Sequence, residues 1–144
     1  MVDRIITDVN RLREKSRDTT IEEVKDLNLI PRLMAVCKTA WTPGRGLAAI
    51  QIGIPIRAAW FRWGAKDFVL INPEIVRLVS KVKTMTEGCL SIPNSWVSIR
   101  RAYKIKYMNN GVLYTAKGDK AQIIMHEIDH MNGILNTDKG IKIR

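Results

Sequence analysis

The chain has 144 residues, 46% hydrophobic and 26% charged, which is the balance of a globular protein with a buried core and not of a disordered segment. No apolar run reaches membrane-spanning length, the opening "MVDRIITDVNRLREK" lacks the apolar stretch of a secretory signal, and two cysteines are too few for a disulfide scaffold. The net charge of +10 favours polyanionic surroundings, but it is scattered along the chain without an arginine-rich block or RNA-binding signature and reads first as a solvated basic surface.

There is no internal repeat, low-complexity tract or linker, so residues 1–144 are expected to form one domain. "TTIEEVKDL" has the Thr20…Glu23 spacing of a capping box and opens a helical region. Pro31 suits the first turn of a second helix, "PRLMAVCKTAW", with apolar residues at Leu33, Met34, Cys37 and Trp41. "TPGRG" then breaks the pattern. "IPIRAAWFRW", "DFVLINPEIVRLV" and "YKIKYMNNGVLYT" are rich in β-branched and aromatic residues and read as strands, with Asn110-Gly111 as a hairpin turn. From Asp119, the expected N-cap, a helix runs through "DKAQIIMHEIDHM" to a stop at Gly133. The expected class is α+β, mostly antiparallel β-sheet packed around this C-terminal helix.

The helix carries the only two histidines in the chain, His126 and His130. Positions i and i+4 share one helix face, so both imidazoles can reach one metal ion. Glu127, one residue round, can reach a metal-bound water without being a ligand, which is the H-E-x-x-H arrangement with the carboxylate as general base. Two histidines partnered by Glu and Asp on a half-exposed face would be unremarkable in a histidine-rich protein, but this chain has no others.

A catalytic metal needs a third protein ligand. Proteases of the H-E-x-x-H-x-x-G-x-x-H type want a histidine at position 136, which holds Asn136, and no Glu or His follows His130. The search therefore moves upstream, where "TEGCLSIPN" offers the thiolate of Cys89 between two strand-like stretches. Cys37, on an apolar helix face beside Met34 and Trp41, is the weaker competitor.

Three stretches in order, "GRGLAAIQ" at 44–51, "EGCLS" at 87–91 and "HEIDH" at 126–130, resemble the peptide deformylase family. The resemblance runs from residue 44 to 138, including "LINPEI" and the later Gly133, Leu135 and Asp138, with a looser match at "DVNRLREKS". It implies one divalent ion per chain held by Cys89, His126 and His130, with water in the fourth position. Ferrous iron is the family's natural ion, and zinc, nickel or cobalt can replace it. It implies removal of the formyl group from the N-terminal formyl-methionine of nascent polypeptides, with Glu127 as the proton carrier. Gln51 and the backbone N–H of Leu90 become the oxyanion donors. Gly46 would pair with the substrate backbone, and Met85, Leu90 and Ile123 would line the methionine pocket, though ordinary core roles fit these three nearly as well. Asp129 is expected either to join Arg101 and Glu87 in a network behind the ligands or to form a surface salt bridge.

The sequence departs from the family at Arg45, commonly aliphatic, whose stem can still cover a pocket, and at Trp96, where relatives often carry arginine. These put side-chain preference in question and leave the reaction intact. The ending "LNTDKGIKIR" is short, as in phage-encoded members, so ribosome docking through a long terminal helix does not carry over. The expected setting is a cytoplasmic monomer acting on formylated nascent N-termini, with the ribosome a candidate partner and neither membrane nor sequence-specific nucleic acid involved. Two competing readings stand beside this one, a zinc peptidase and a non-catalytic RNA- or ribosome-associated module.

Overall fold

The computed structural model describes residues 2–41 and 44–143. Three helices come first: α1 (Val9–Leu12), α2 (Ile21–Asp26) and α3 (Leu29–Lys38). Thr20 caps α2 by accepting the Glu23 N–H at 3.1 Å. The reciprocal half of the box does not form, because Arg17 takes the Glu23 carboxylate at 2.7 and 2.9 Å and Thr19 donates to it as well. A charged fork outcompetes a neutral backbone donor. Pro31 is the third residue of α3, where its missing N–H leaves no hydrogen bond broken. Trp41 lies past the end of α3 and is not on its face, while Thr42 and Pro43 of the expected break fall outside the described residues.

The strands follow as β1 (Gly46–Ala48), β2 (Ala58–Trp63), β3 (Lys66–Ile71), β4 (Glu74–Leu78), β5 (Val82–Gly88), β6 (Trp96–Ala102), β7 (Lys104–Asn109) and β8 (Val112–Lys117). After them come α4 (Gly118–Met131), α5 (Asn136–Lys139) and β9 (Ile141–Lys142). They form three antiparallel sheets ordered β1-β2-β3, β4-β7-β8 and β5-β6-β9. The stretch "DFVLINPEIVRLV" is two strands, parted at Asn72, whose φ is 47°. Asn110 and Gly111 both have positive φ, 49° and 81°, and join β7 to β8 as the sequence predicts. The short β1 and β9 are not visible in the sequence, since two or three residues carry too little alternation to register.

The class is α+β, with antiparallel sheet around α4. β8 passes into α4 with no intervening loop, so Lys117 is the N-cap and Asp119 lies in the first turn, one correction to the reading of Asp119. There its charge still favours the positive helix end. Along α4, Ala121, Ile124, Met125, Ile128 and Met131 recur at helical spacing and pack with Phe61, Leu70, Ile105 and Tyr107. A second cluster gathers Leu29, Leu33, Cys37, Leu47, Trp60 and Leu90. Glu127 and His130 occupy the adjoining face of α4 and are buried too. The helix's ordinary core stripe therefore aims its chemistry-bearing stripe.

Gly133 ends α4 with φ 74°. Its N–H donates to His130 O (3.1 Å) and the Ile134 N–H to Asp129 O (2.9 Å), the paired bonds of a left-handed stop. A Cβ there would fall on the Arg13 carbonyl oxygen. Gly133→Ala should therefore cost about 2 kcal/mol or more in urea unfolding, since the strained φ and the collision add. A change below about 0.5 kcal/mol would show that this stop is not fixed as described.

Candidate metal centre and active site

Three ligand-type atoms meet beside α4. The Cys89 thiol, just past the end of β5, and the imidazoles of His126 and His130 bring their donor atoms within 4.8 Å of one another. Sγ of Cys89 is 3.4 Å from His130 Nε2, which is 3.1 Å from His126 Nε2. His126 Nδ1 donates to Glu87 Oε2 at 2.6 Å, which leaves its Nε2 lone pair turned toward the shared point. Burial opposes charge on both imidazoles, yet Cys89 and Glu87 hold the His126 pKa well above its ordinary value while burial and His126 hold that of His130 well below. One thiol and two imidazoles at such a point suit a divalent ion of the zinc or ferrous type. Cys37 is elsewhere: its thiol faces Gly46 O at 3.9 Å, burial pushes its pKa up to about 12, and both cysteines are free.

The point is held from behind by buried charges. Arg101, on β6, donates to both Glu87 oxygens (2.8 and 3.0 Å) and to Asp129 Oδ2 (3.0 Å). Asp129 Oδ1 also receives Lys139 Nζ at 3.0 Å. Burial works against ionisation of Glu87, but His126 and Arg101 hold its carboxyl far below the usual carboxylate range. Of the two alternatives for Asp129, the observed arrangement is a buried network and not a surface pair, because Arg101 is 5% exposed.

Glu127 differs from its neighbours. It is 2% exposed, its Oε1 has no hydrogen-bond partner among the described residues, and burial pushes its pKa up to about 7. A Cβ at Gly46 would stand 2.7 Å from Glu127 Oε2, so only glycine admits the carboxylate there. Gln51, in the 3-10 turn Ala49–Ile52, is fixed at both ends: Oε1 accepts the Ala48 N–H (3.0 Å), and Nε2 donates to Ser91 Oγ (3.0 Å) while facing Cys89 Sγ at 3.8 Å. Trp41 Nε1 donates to Leu90 O at 3.1 Å and pins the loop after Cys89.

These groups border one cleft of about 250 Å³. Gly46, Gln51, Leu90 and Glu127 line it, as do Arg45, Ile123 and Trp96. Met85 is not among the residues that border it. The next three residues of β5, Thr86, Glu87 and Gly88, do line it. Ser91, Gln122 and Lys139 were missed by the sequence reading. Ser91 stood inside the quoted "EGCLS" without a role. Gln122, which donates to Glu87 Oε1 at 3.3 Å, is one turn before His126 on the same helix and could have been suspected. Lys139 reaches Asp129 only through the turn at Gly133 and left no local signal.

A converging thiol and two imidazoles beside an unpaired, buried carboxylate, on an α+β scaffold, are the outline of a metal-dependent hydrolase. Residues 3–144 match the sequence model of the family described as polypeptide deformylase. The chain belongs to that family and removes the N-formyl group from nascent polypeptides by metal-dependent hydrolysis. A peptide deformylase of Halothermothrix orenii is 39% identical over 139 residues, covering 92% of this chain and 88% of the relative. The crystal structure of the Thermotoga maritima peptide deformylase superposes with a TM-score of 0.85 at 31% identity, over 96% of this chain and 97% of that one. A probable peptide deformylase from Synechococcus phage S-SSM7 superposes at 0.83 with 29% identity, over 95% and 99%. No helix among the described residues is long and apolar enough to cross a membrane.

Arg101→Leu should destabilise the protein by about 3–5 kcal/mol in urea unfolding, since two carboxylates would stay buried without their guanidinium. A variant as stable as the parent would show that Glu87 and Asp129 are solvated and not held by Arg101.

Proposed function

We propose that Cys89, His126 and His130 hold one divalent ion and that Glu127 is the general base of the deformylation, with Gln51 and the Leu90 N–H as oxyanion donors. The observation that carries this reading is the convergence of the three donor atoms within 4.8 Å beside a buried carboxylate with an oxygen free of partners. When bound, the ion supplies a Lewis acid that polarises the formyl oxygen and makes water acidic enough to lose a proton near neutral pH. Ferrous iron is our assignment in the cell, with zinc, nickel or cobalt able to occupy the same donor set.

The chain's own residues then divide the work. Glu127 takes the proton of the attacking water as its oxygen bonds to the formyl carbon. Gln51 Nε2, held in one orientation by Ala48 and Ser91, donates to the oxygen that gains negative charge. The Leu90 N–H joins it from a loop pinned by Trp41. Glu127 next delivers the proton to the amine nitrogen as the C–N bond breaks, leaving formate and a free amino terminus. β1 pairs with β2 on one side only, and Gly46 lines the cleft, so its other edge is available to a peptide backbone. Ile123 and the Arg45 stem would line the pocket for the methionine side chain. The substrate is the formylated N-terminus of a nascent chain, met in the cytoplasm by a one-domain monomer.

Formate release from a formyl-methionyl peptide, followed anaerobically beside an unformylated control, should stop with a chelator and return with iron or nickel. Cleavage of the unformylated control would support a peptidase instead. Glu127→Ala should keep its metal by elemental analysis and lose about 10²–10⁴ in kcat, whereas Cys89→Ala should lose metal first. An active Glu127→Ala enzyme would sink the general-base assignment.

A further inference from the structure

A second concavity, about 650 Å³, opens at the start of α4. Its walls carry Lys104, Lys117 and Lys120 with the rings of Trp63 and Tyr103, and Asp119 is the single carboxylate among them. Two more lysines gather beside it. Lys83 Nζ lies 4.4 Å from the Tyr103 ring centroid, and Lys66 is near enough that, after burial, it is what lowers the Lys120 pKa. Lys120 Nζ is itself held 4.1 Å from the Phe68 ring centroid.

Seven basic side chains of the described residues are ion-paired, namely Arg13, Arg17, Arg32, Arg57, Arg62, Arg101 and Lys139. None of these five lysines has such a partner among the described residues. Five like charges gathered around a single carboxylate repel one another, and a bound polyanion relieves that repulsion. Three lysines line one concavity and two more stand beside it, so positive charge is gathered here on a single wall.

The basin adjoins the cleft. Lys120 precedes the cleft residues Gln122 and Ile123 on α4, and Trp63, a basin wall, lies under the guanidinium of the cleft residue Arg45 at 5.0 Å. We propose that this lysine basin docks the enzyme on the phosphate backbone of RNA, with the cleft mouth alongside. Charge complementarity and a concave wall with aromatic rings fit a nucleic-acid backbone with exposed bases better than a flat membrane surface. The substrate points the same way, because a nascent polypeptide is made on an RNA scaffold.

The test measures binding of the metal-loaded protein to a fluorescent RNA hairpin by anisotropy across a salt series. The parent should bind with a steep salt dependence. Replacing Lys104, Lys117 and Lys120 together by alanine should weaken binding at least about tenfold near 0.1 M salt and reduce the log–log slope by about 2–3. A control that replaces Lys15, Lys25 and Lys142, all exposed and outside the basin, should change affinity less than about twofold. Equal losses in the two variants would overturn the proposal, because the charge would then act diffusely. Absence of RNA binding together with basin-dependent binding to phosphatidylserine vesicles would also overturn it, in favour of a membrane. Formate release from a short peptide reports that the triple variant is folded, and the single reversal Lys117→Glu at an exposed strand end carries the same test if it is not. RNA binding is read independently of turnover, so failure of the catalytic assignments would leave this result standing.

Discussion

The buried guanidinium of Arg101 is the constraint on which the site depends. It joins Glu87 at the end of β5 to Asp129 on α4 from its own place on β6. Desolvating these charges is costly, and an apolar trio of similar volume could have been as stable. What apolar packing would lack is register. Cys89 lies two residues beyond Glu87, and His126 and His130 flank Asp129 on the helix. A slip of β5 against α4 by one residue would separate the thiol from both imidazoles, and the directional bonds to Arg101 oppose that slip. The same Glu87 carboxylate also fixes the ring of His126 through Nδ1.

The three carboxylates near this point do different things because their surroundings differ. Glu87 is saturated by Arg101, His126 and Gln122 and stays ionised. Asp129 is shared between Arg101 and Lys139 on the far side of the helix. Glu127 has no cation in hydrogen-bonding contact, and burial brings its pKa to about 7, within reach of both taking and giving a proton at neutral pH. Proton transfer needs such a group, and orientation needs the saturated kind. The helix supplies both by placing them on different faces.

Much of this was legible from residue types and spacing. The i, i+4 histidines and the glutamate between them fixed a helix face, and the missing downstream ligand turned attention to Cys89. The Asn-Gly turn between β7 and β8 and the left-handed stop at Gly133 follow from backbone chemistry that few residues share. Other features depend on contacts between distant segments. Met85, singled out as a neighbour of a motif, is absent from the cleft lining that its strand neighbours Thr86, Glu87 and Gly88 share. The Glu23 side chain left its own helix cap for Arg17, a competition that spacing cannot rank. Ser91 and Lys139 acquired roles only when a loop and a turn brought them to Gln51 and Asp129.

The two departures from the family pattern illustrate how a site can vary at its rim while its centre stays fixed. The Arg45 guanidinium rests 5.0 Å from the Trp63 ring centroid, so its charge is drawn away from the reacting groups while the residue still lines the cleft. Trp96 packs against Gly88 and meets Trp41 edge-on with centroids 6.2 Å apart. Trp41 in turn holds the Leu90 carbonyl. An aromatic pair thus braces the loop that follows Cys89. Neither Arg45 nor Trp96 makes a hydrogen bond or ion pair to Cys89, His126, Glu127 or His130 among the described residues. Substitution at these places can alter which side chains follow the formyl-methionine comfortably, while the donors of the buried centre keep the positions that Arg101 gives them.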